Sequence, residues 1–366
     1  MQLKIKAESL KEMVSRAVKG VSNNKLIPIT SLMAISLKKG QLILTTTDAT
    51  NYLYIRKNKV EGNDFYVVVP VEVFSKLVMK MTCEVIELEL KNNCLEVRGN
   101  GKYSIELPLD ENGELIQYPD PMKNIKLPKT SVEISSSTAL TILNSVKPAL
   151  ATTLEIPCYT GYYVGDRVVS TDTYKIASLN CKLLEEPKLI SSEMMNLLAV
   201  FTTEKINLYI DKNKADIIVF YTDDCVVYGT VMEGIEDFAI DAISALVDTE
   251  FESRCKIGKS SLLQLLERLS LFVGLYDKNA INLTFTENGL QVSSKASSGV
   301  EILPYLESDN FKDFVCSVDI EMLSSQIKGQ VSDTVEMFYG LDNALKMVDG
   351  DITQIVALIE DVNEAE

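Results

Sequence analysis

Apolar residues recur along this chain in two rhythms, one of three and four residues and one of two, and the pair of rhythms repeats six times. Near the start, Leu10, Met13, Val14, Ala17, Val18 and Val21 fall at helical spacing and leave Lys11, Ser15, Arg16 and Lys19 on the opposite side. This predicts an amphipathic helix with one packed and one wet face. The segment SSLLQLLERLSLF repeats the pattern, with Leu262, Leu265, Leu266 and Leu269 as the stripe and Lys259 and Arg268 on the polar part. Helical stretches are predicted to begin near Glu8, Pro70, Ser135, Ser191, Gly258 and Asp319, at intervals of 62, 65, 56, 67 and 61 residues, and one sixth of 366 is 61. So regular a period calls for a repeat architecture.

Strand-like runs follow each helical stretch: QLILTTTDATNYLYI, NNCLEVRGNGKYSIELP, DRVVSTDTYKIASL, ADIIVFYTDDCVVYGTVM, NGLQVSSKASSGVEILPY and DNALKMVDGDITQIVALI. Several are split by a polar or glycine-containing centre, as hairpins are. Two carry a Thr-Asp step at the same phase of the repeat, Thr47-Asp48 and Thr171-Asp172. Helices on one face of an antiparallel sheet are a stable two-layer solution, so the expected class is α+β. Three domains of two units each satisfy both the length and the repeat. Residues 110–128 contain Asn112, Gly113, Pro119, Pro121 and Pro128, a loop composition that closes the first pair of units. The helix-friendly run EDFAIDAISALV ends shortly before a new strand, FESRCKIG. The expected domains are therefore residues 1–124, 125–250 and 251–366.

Composition narrows the class. No apolar run approaches the roughly 20 residues that cross a bilayer, and the opening MQLKIKAESL alternates like a strand and lacks a signal-peptide core. A cytoplasmic protein that does not enter membranes is expected. Seven cysteines, odd in number and without a C-x-x-C pair, suggest neither a disulfide framework nor a zinc site. Histidine is absent, which removes the usual general base, zinc ligand and triad member. Neither G-x-x-x-x-G-K-[ST] nor G-x-G-x-x-G occurs, so phosphate cradling by a glycine-rich loop is unsupported. The adjacent acids Asp223-Asp224 and Glu185-Glu186 read as solvated turns. No catalytic residue, metal or cofactor is expected.

Charge needs a separate account. The chain carries 36 basic and 52 acidic side chains, a formal net charge of −16, which repels nucleic acid unless the cations are segregated. The six helical windows hold nine basic residues (Lys11, Arg16, Lys19, Lys76, Lys80, Lys147, Lys259, Arg268, Lys328) and seven acidic ones, a sum of +2, and everything else sums to −18. Solvated helix faces would give a similar count.

The ordered segments LIPITSLMAISLKKGQLILTTTDATNYL and, above all, VVSTDTYKIA resemble the bacterial sliding clamp, the β subunit of DNA polymerase III, and the likeness runs end to end. This resemblance implies the DNA clamp fold: three tandem clamp domains, each of two helix-plus-antiparallel-strand repeats, assembling head to tail as a homodimeric ring round duplex DNA. It implies a polymerase processivity factor in which basic helix faces attract phosphates without reading bases. The nine helical cations, with Lys25 as a loop contact, are then the expected DNA-binding residues.

The family's peptide cleft, which takes short hydrophobic peptides from polymerase and clamp-loader subunits, maps onto Tyr159, Thr171, Thr173, Tyr174, Lys175 and Ile176. Its other wall maps onto Ile355, Val356, Ala357, Leu358 and Ile359. Thr173 and Tyr174 stand where the family usually has glycine and histidine. Leu358 and Glu360 replace its proline and arginine, and Glu364 and Glu366 extend the tail. The family's dimer contact maps onto Tyr103 and Ile105 in the first domain and Leu271 and Phe272 in the third. Two other classes remain open at this stage: a clamp-like peptide-binding scaffold that does not encircle DNA, and a carboxylate-dependent hydrolase.

Overall fold

Six antiparallel hairpins occupy the six strand-like runs, the first joining Gln41–Thr47 to Tyr52–Lys57 and the last Ala344–Asp349 to Ile352–Ala357. The computed structural model describes residues 2–22, 26–128, 131–211, 216–274, 279–294 and 299–359. Among the described residues the α-helices are α1 (Ala7–Ala17), α2 (Val71–Lys80), α3 (Ser136–Thr141), α4 (Ser192–Asn196), α5 (Ile240–Asp248), α6 (Lys259–Leu269) and α7 (Ile320–Gly329). Six of them begin within one residue of the predicted starts, and α5 stands outside the repeat.

The middle pair is shorter because its sequence is less helical. The Ser135 hydroxyl accepts from the Thr138 N–H at 2.9 Å and starts α3, which continues as a π turn over Ile142–Val146 and stops at Pro148. Likewise α4 passes into a 3-10 turn at Leu197–Val200. No helix among the described residues is long and apolar enough to cross a membrane.

The chain forms two compact units, one of residues 1–139 with 193–231 and the other of residues 140–192 with 232–366. In the first, an eight-stranded antiparallel sheet runs in the order Val132–Ser135, Lys205–Ile210, Ile217–Tyr221, Cys225–Thr230, Tyr52–Lys57, Gln41–Thr47, Leu32–Lys38, Phe65–Pro70. Strands from both sides of residue 124 thus share one sheet, joined where Cys225 pairs with Ile55. A five-stranded sheet ends in the edge strand Lys102–Glu106. The buried stripe of α1 is Ala7, Leu10, Met13, Val14 and Ala17, and that of α2 is Val71, Phe74 and Val78.

The second unit repeats the plan. Its nine-stranded sheet places Gly161–Val164, Val168–Thr171 and Lys175–Leu179 beside Ile352–Ala357 and Ala344–Asp349. A four-stranded sheet ends in Val300–Leu303. The leucine stripe of α6 packs with Leu323 and Ile327 of α7 over Ile281, Leu283 and Val318. At the end of α7 a Cβ on Gly329 would lie 2.5 Å from the Asn144 carbonyl oxygen, so only glycine permits this approach.

Candidate nucleic-acid and peptide interfaces

Four of the expected cations of the first unit converge, and Lys11 is not among them. Arg16, Lys19, Lys76 and Lys80 surround a groove of about 680 Å³ whose apolar lining includes Val14, Val18, Val71, Met79 and Val200. Lys19 and Lys80 are exposed and Lys11 half-buried, and none makes an ion pair among the described residues. Lys76 is paired to Glu72 one helical turn earlier, at 2.6 Å.

Arg16 departs from the expected role. Its Nη1 donates to Asp224 Oδ2 at 2.6 Å and its Nε to the Val200 carbonyl at 2.9 Å, leaving the side chain only 11% exposed. The guanidinium is therefore an internal strut between α1 and the sheet, because its reach past Val200 finds a carboxylate before it finds solvent. Burial pushes the adjacent Cys225 thiol up to about 12, so it stays protonated.

In the second unit Lys328 is exposed without an ion pair among the described residues, and Lys147 is exposed. Lys259 donates to the Gln330 carbonyl at 2.6 Å, and Arg268 makes a two-pronged pair with Glu301 at 2.8 and 2.6 Å. Lys25 lies outside the described residues, as do Glu360, Glu364 and Glu366 of the tail.

The residues expected to form the peptide cleft meet at one seam. Strand Lys175–Leu179 pairs with Ile352–Ala357, setting Ile176 opposite Ile355 and Lys175 opposite Val356, and the Ala357 N–H donates to the Tyr174 carbonyl at 2.8 Å. Thr171 fixes the preceding turn by donating to the Lys175 carbonyl at 2.7 Å, while Asp172 accepts from the backbone N–H of Tyr174 and Lys175. The turn holds Thr173 at φ +78° and leaves Tyr174 62% exposed. Thr47 and Asp48 build the same turn in the first unit, with Ala49 at φ +88°.

Strand alternation divides the expected wall. Tyr159, Ile176 and Ile355 share one apolar cluster with Phe238, Ile243 and Val247, and Tyr159 meets the Phe238 ring edge-on at 5.2 Å. Val356 is fully buried in the core under α6 and α7, against which Leu358 also packs. These two therefore belong to the opposite face, as one-residue alternation demands. Lys175, opposite Val356, donates to the Pro148 carbonyl at 2.8 Å and pairs with Asp172 at 3.2 Å, so its charge is internally engaged. Ala357 and Ile359 are half-buried beside the seam.

Sequence reasoning missed α5, which packs Ile243 and Val247 over the Tyr159, Ile176 and Ile355 face, with Phe238 just ahead of the helix beside them. The apolar spacing of EDFAIDAISALV was the available signal, and it served only to mark a boundary.

Of the expected dimer contacts, Leu271 and Phe272 are 81% and 52% exposed on the turn that ends α6, and Tyr103 is exposed on an edge strand. Ile105 is buried in its own core because it faces inward from that strand. No cluster of metal-ligating side chains occurs among the described residues.

This is the architecture of the DNA clamps: tandem helix-and-hairpin repeats with continuous antiparallel sheets running between them. Among solved structures it matches the beta subunit of DNA polymerase from Streptococcus pyogenes at a TM-score of 0.82, with 16% identity over 99% of this chain and 100% of the other. It matches the DNA polymerase sliding clamp of Bacillus subtilis at 0.81, with 16% identity over 99% of each chain. The DNA polymerase III beta subunit of Thermotoga maritima gives 0.81, with 19% identity over 99% of this chain and 100% of the other. Residues 1–118 match the family described as DNA polymerase III beta subunit, N-terminal domain. No curated protein matches the chain.

Proposed function

We propose that this chain is a DNA polymerase processivity clamp, two copies of which close into a ring round duplex DNA. The observation that carries the reading is the end-to-end likeness of fold to bacterial sliding clamps, covering 99% of this chain and all of the Streptococcus pyogenes subunit. The domains are residues 1–124, 125–250 and 251–366. The task is topological, so the chain needs neither catalytic residue nor cofactor and works in the cytoplasm. Lys11, Lys19, Lys76, Lys80, Lys147, Lys259, Arg268 and Lys328 supply the positive potential toward phosphate, and an excess of acid elsewhere keeps other surfaces off DNA.

Partner peptides from polymerase and clamp loader enter beside Tyr159, Ile176, Ile355 and Tyr174, an apolar seam with polar edges suited to short hydrophobic segments. The ring closes through exposed Leu271 and Phe272 with Tyr103 of a second copy.

Sizing and topology test this together. The chain should elute at twice 40.7 kDa. Loaded by a bacterial clamp loader with ATP, it should stay on closed circular DNA and be lost when the circle is cut. A monomer that leaves circular and linear DNA alike would overturn the reading.

A further inference from the structure

The C-terminal end of α5 is held by a lysine from a neighbouring strand. Lys346 Nζ donates to the Val247 carbonyl at 2.7 Å and the Thr249 carbonyl at 2.9 Å, and lies 5.7 Å from the centre of the Phe251 ring. The last turn of α5 has no basic residue of its own and ends on Asp248, which opposes the helix dipole. No side chain caps its N-terminus. Arg167 pairs with Asp248 from the exposed side at 3.3 Å. Lys346 therefore supplies the half-buried cation that the helix's final carbonyls require.

Its place in the sheet gives the lysine a further consequence. Lys346 pairs directly with Ile355, and Ile355 with Ile176, so the three side chains form one row on the face that α5 covers. Two members of the row pack against Ile243 and Val247, and the third grips the carbonyl of that same Val247. Over its nine residues the helix is otherwise held by the apolar packing of Ile240, Ile243, Leu246 and Val247, which leaves its final carbonyls to Lys346.

We propose that Lys346 is the positioning residue of the peptide cleft. It clamps the end of α5 to the Ile176–Ile355 row and so fixes the distance between the cleft's two walls. The proposal rests on the cleft reading given above. Burial lowers the pKa of Lys346, with Asp248 and Glu250 acting against that shift, which agrees with an ammonium working partly out of water.

The test compares the full-length wild type with Lys346→Met, Lys346→Arg and Arg167→Met. Two quantities are measured: hydrogen exchange across residues 240–251, and binding of a fluorescein-labelled synthetic hexapeptide carrying two leucines and a terminal phenylalanine. Lys346→Met should speed exchange in α5 by at least tenfold and weaken the peptide by about tenfold, with exchange in α6 and α7 and the dimer mass unchanged. Lys346→Arg should restore much of both, and Arg167→Met should change neither by more than about twofold. Peptide affinity that survives a released α5 would overturn the proposal, as would loss of protection spread evenly over the second unit. A wild type that binds no peptide fails before any substitution is made, and that result strikes the cleft reading itself.

Discussion

Arg16 and Asp224 are joined by a 2.6 Å charge-assisted hydrogen bond, although Arg16 sits on the polar side of α1, where the sequence suggests a DNA contact. Arg16→Met should therefore lower stability by about 2 kcal/mol, because a partly buried carboxylate loses its donor. Lys19→Met, on an exposed side chain, should cost little. Burial alone would raise the Asp224 pKa, but hydrogen bonds from Arg16 and Thr222 outweigh it and hold the carboxyl below its ordinary value. A depressed folded pKa stabilises above the unfolded value of about 4 and is lost as pH falls through the folded one. Urea midpoints should thus separate wild type from Arg16→Met at pH 7, and the gap should narrow as pH falls below about 4. A gap that persists in acid would mean that packing, not charge, sets the cost.

For DNA the informative side chains are the unpaired ones. Lys11→Glu with Lys19→Glu should weaken retention on circular DNA while leaving dimer mass and melting temperature near wild type. Each phosphate contact removed should lower the slope of log affinity against log salt by about 0.9. Lys76→Glu should do less, since Glu72 already neutralises that lysine at 2.6 Å. Retention and salt slope equal to wild type in the double variant would remove α1 from the DNA interface.

Much of the fold was legible because hydrophobic period is a local property. Six helix starts fell where apolar spacing put them, the six strand-like runs all hold paired strands, and the Thr-Asp steps marked the turns that Thr47 and Thr171 build. What stayed hidden was set by partners distant in sequence. Asp224, 208 residues away, decides that Arg16 is a strut. Strand register, which no local pattern fixes, decides that Ile355 faces α5 while Val356 faces the opposite core. The packing of α5 went unseen because its apolar face is completed by residues distant in sequence, among them Tyr159, Ile176 and Ile355.

The turn beside the cleft carries a measurable strain. Thr173 holds φ at +78°, a region costly for a β-branched residue, and its exposed side chain has little packing to lose. The backbone bond from its N–H to Thr171 Oγ1, at 3.0 Å, does not depend on the Thr173 side chain. Thr173→Gly should therefore stabilise the protein by about 1 kcal/mol, strain relief exceeding the added freedom of the unfolded chain. A lower urea midpoint in this variant would show that the turn is not strained.

Assembly can be separated from folding at the end of α6. Leu271 and Phe272 are mostly solvent-exposed in the single chain, so neither contributes much to its core, and they are the proposed closure surface of the ring. Leu271→Glu with Phe272→Glu should halve the mass on sizing and abolish retention on circular DNA, yet leave the thermal transition within a degree or two of wild type. Ile105→Glu should behave in the opposite way. That side chain is buried within its own sheet, and an unpaired carboxylate there should cost several kcal/mol and reduce soluble yield before any effect on assembly can be read. If the double variant still runs as a dimer, the ring closes through some other surface, and the edge strand Val300–Leu303 becomes the next place to introduce charge.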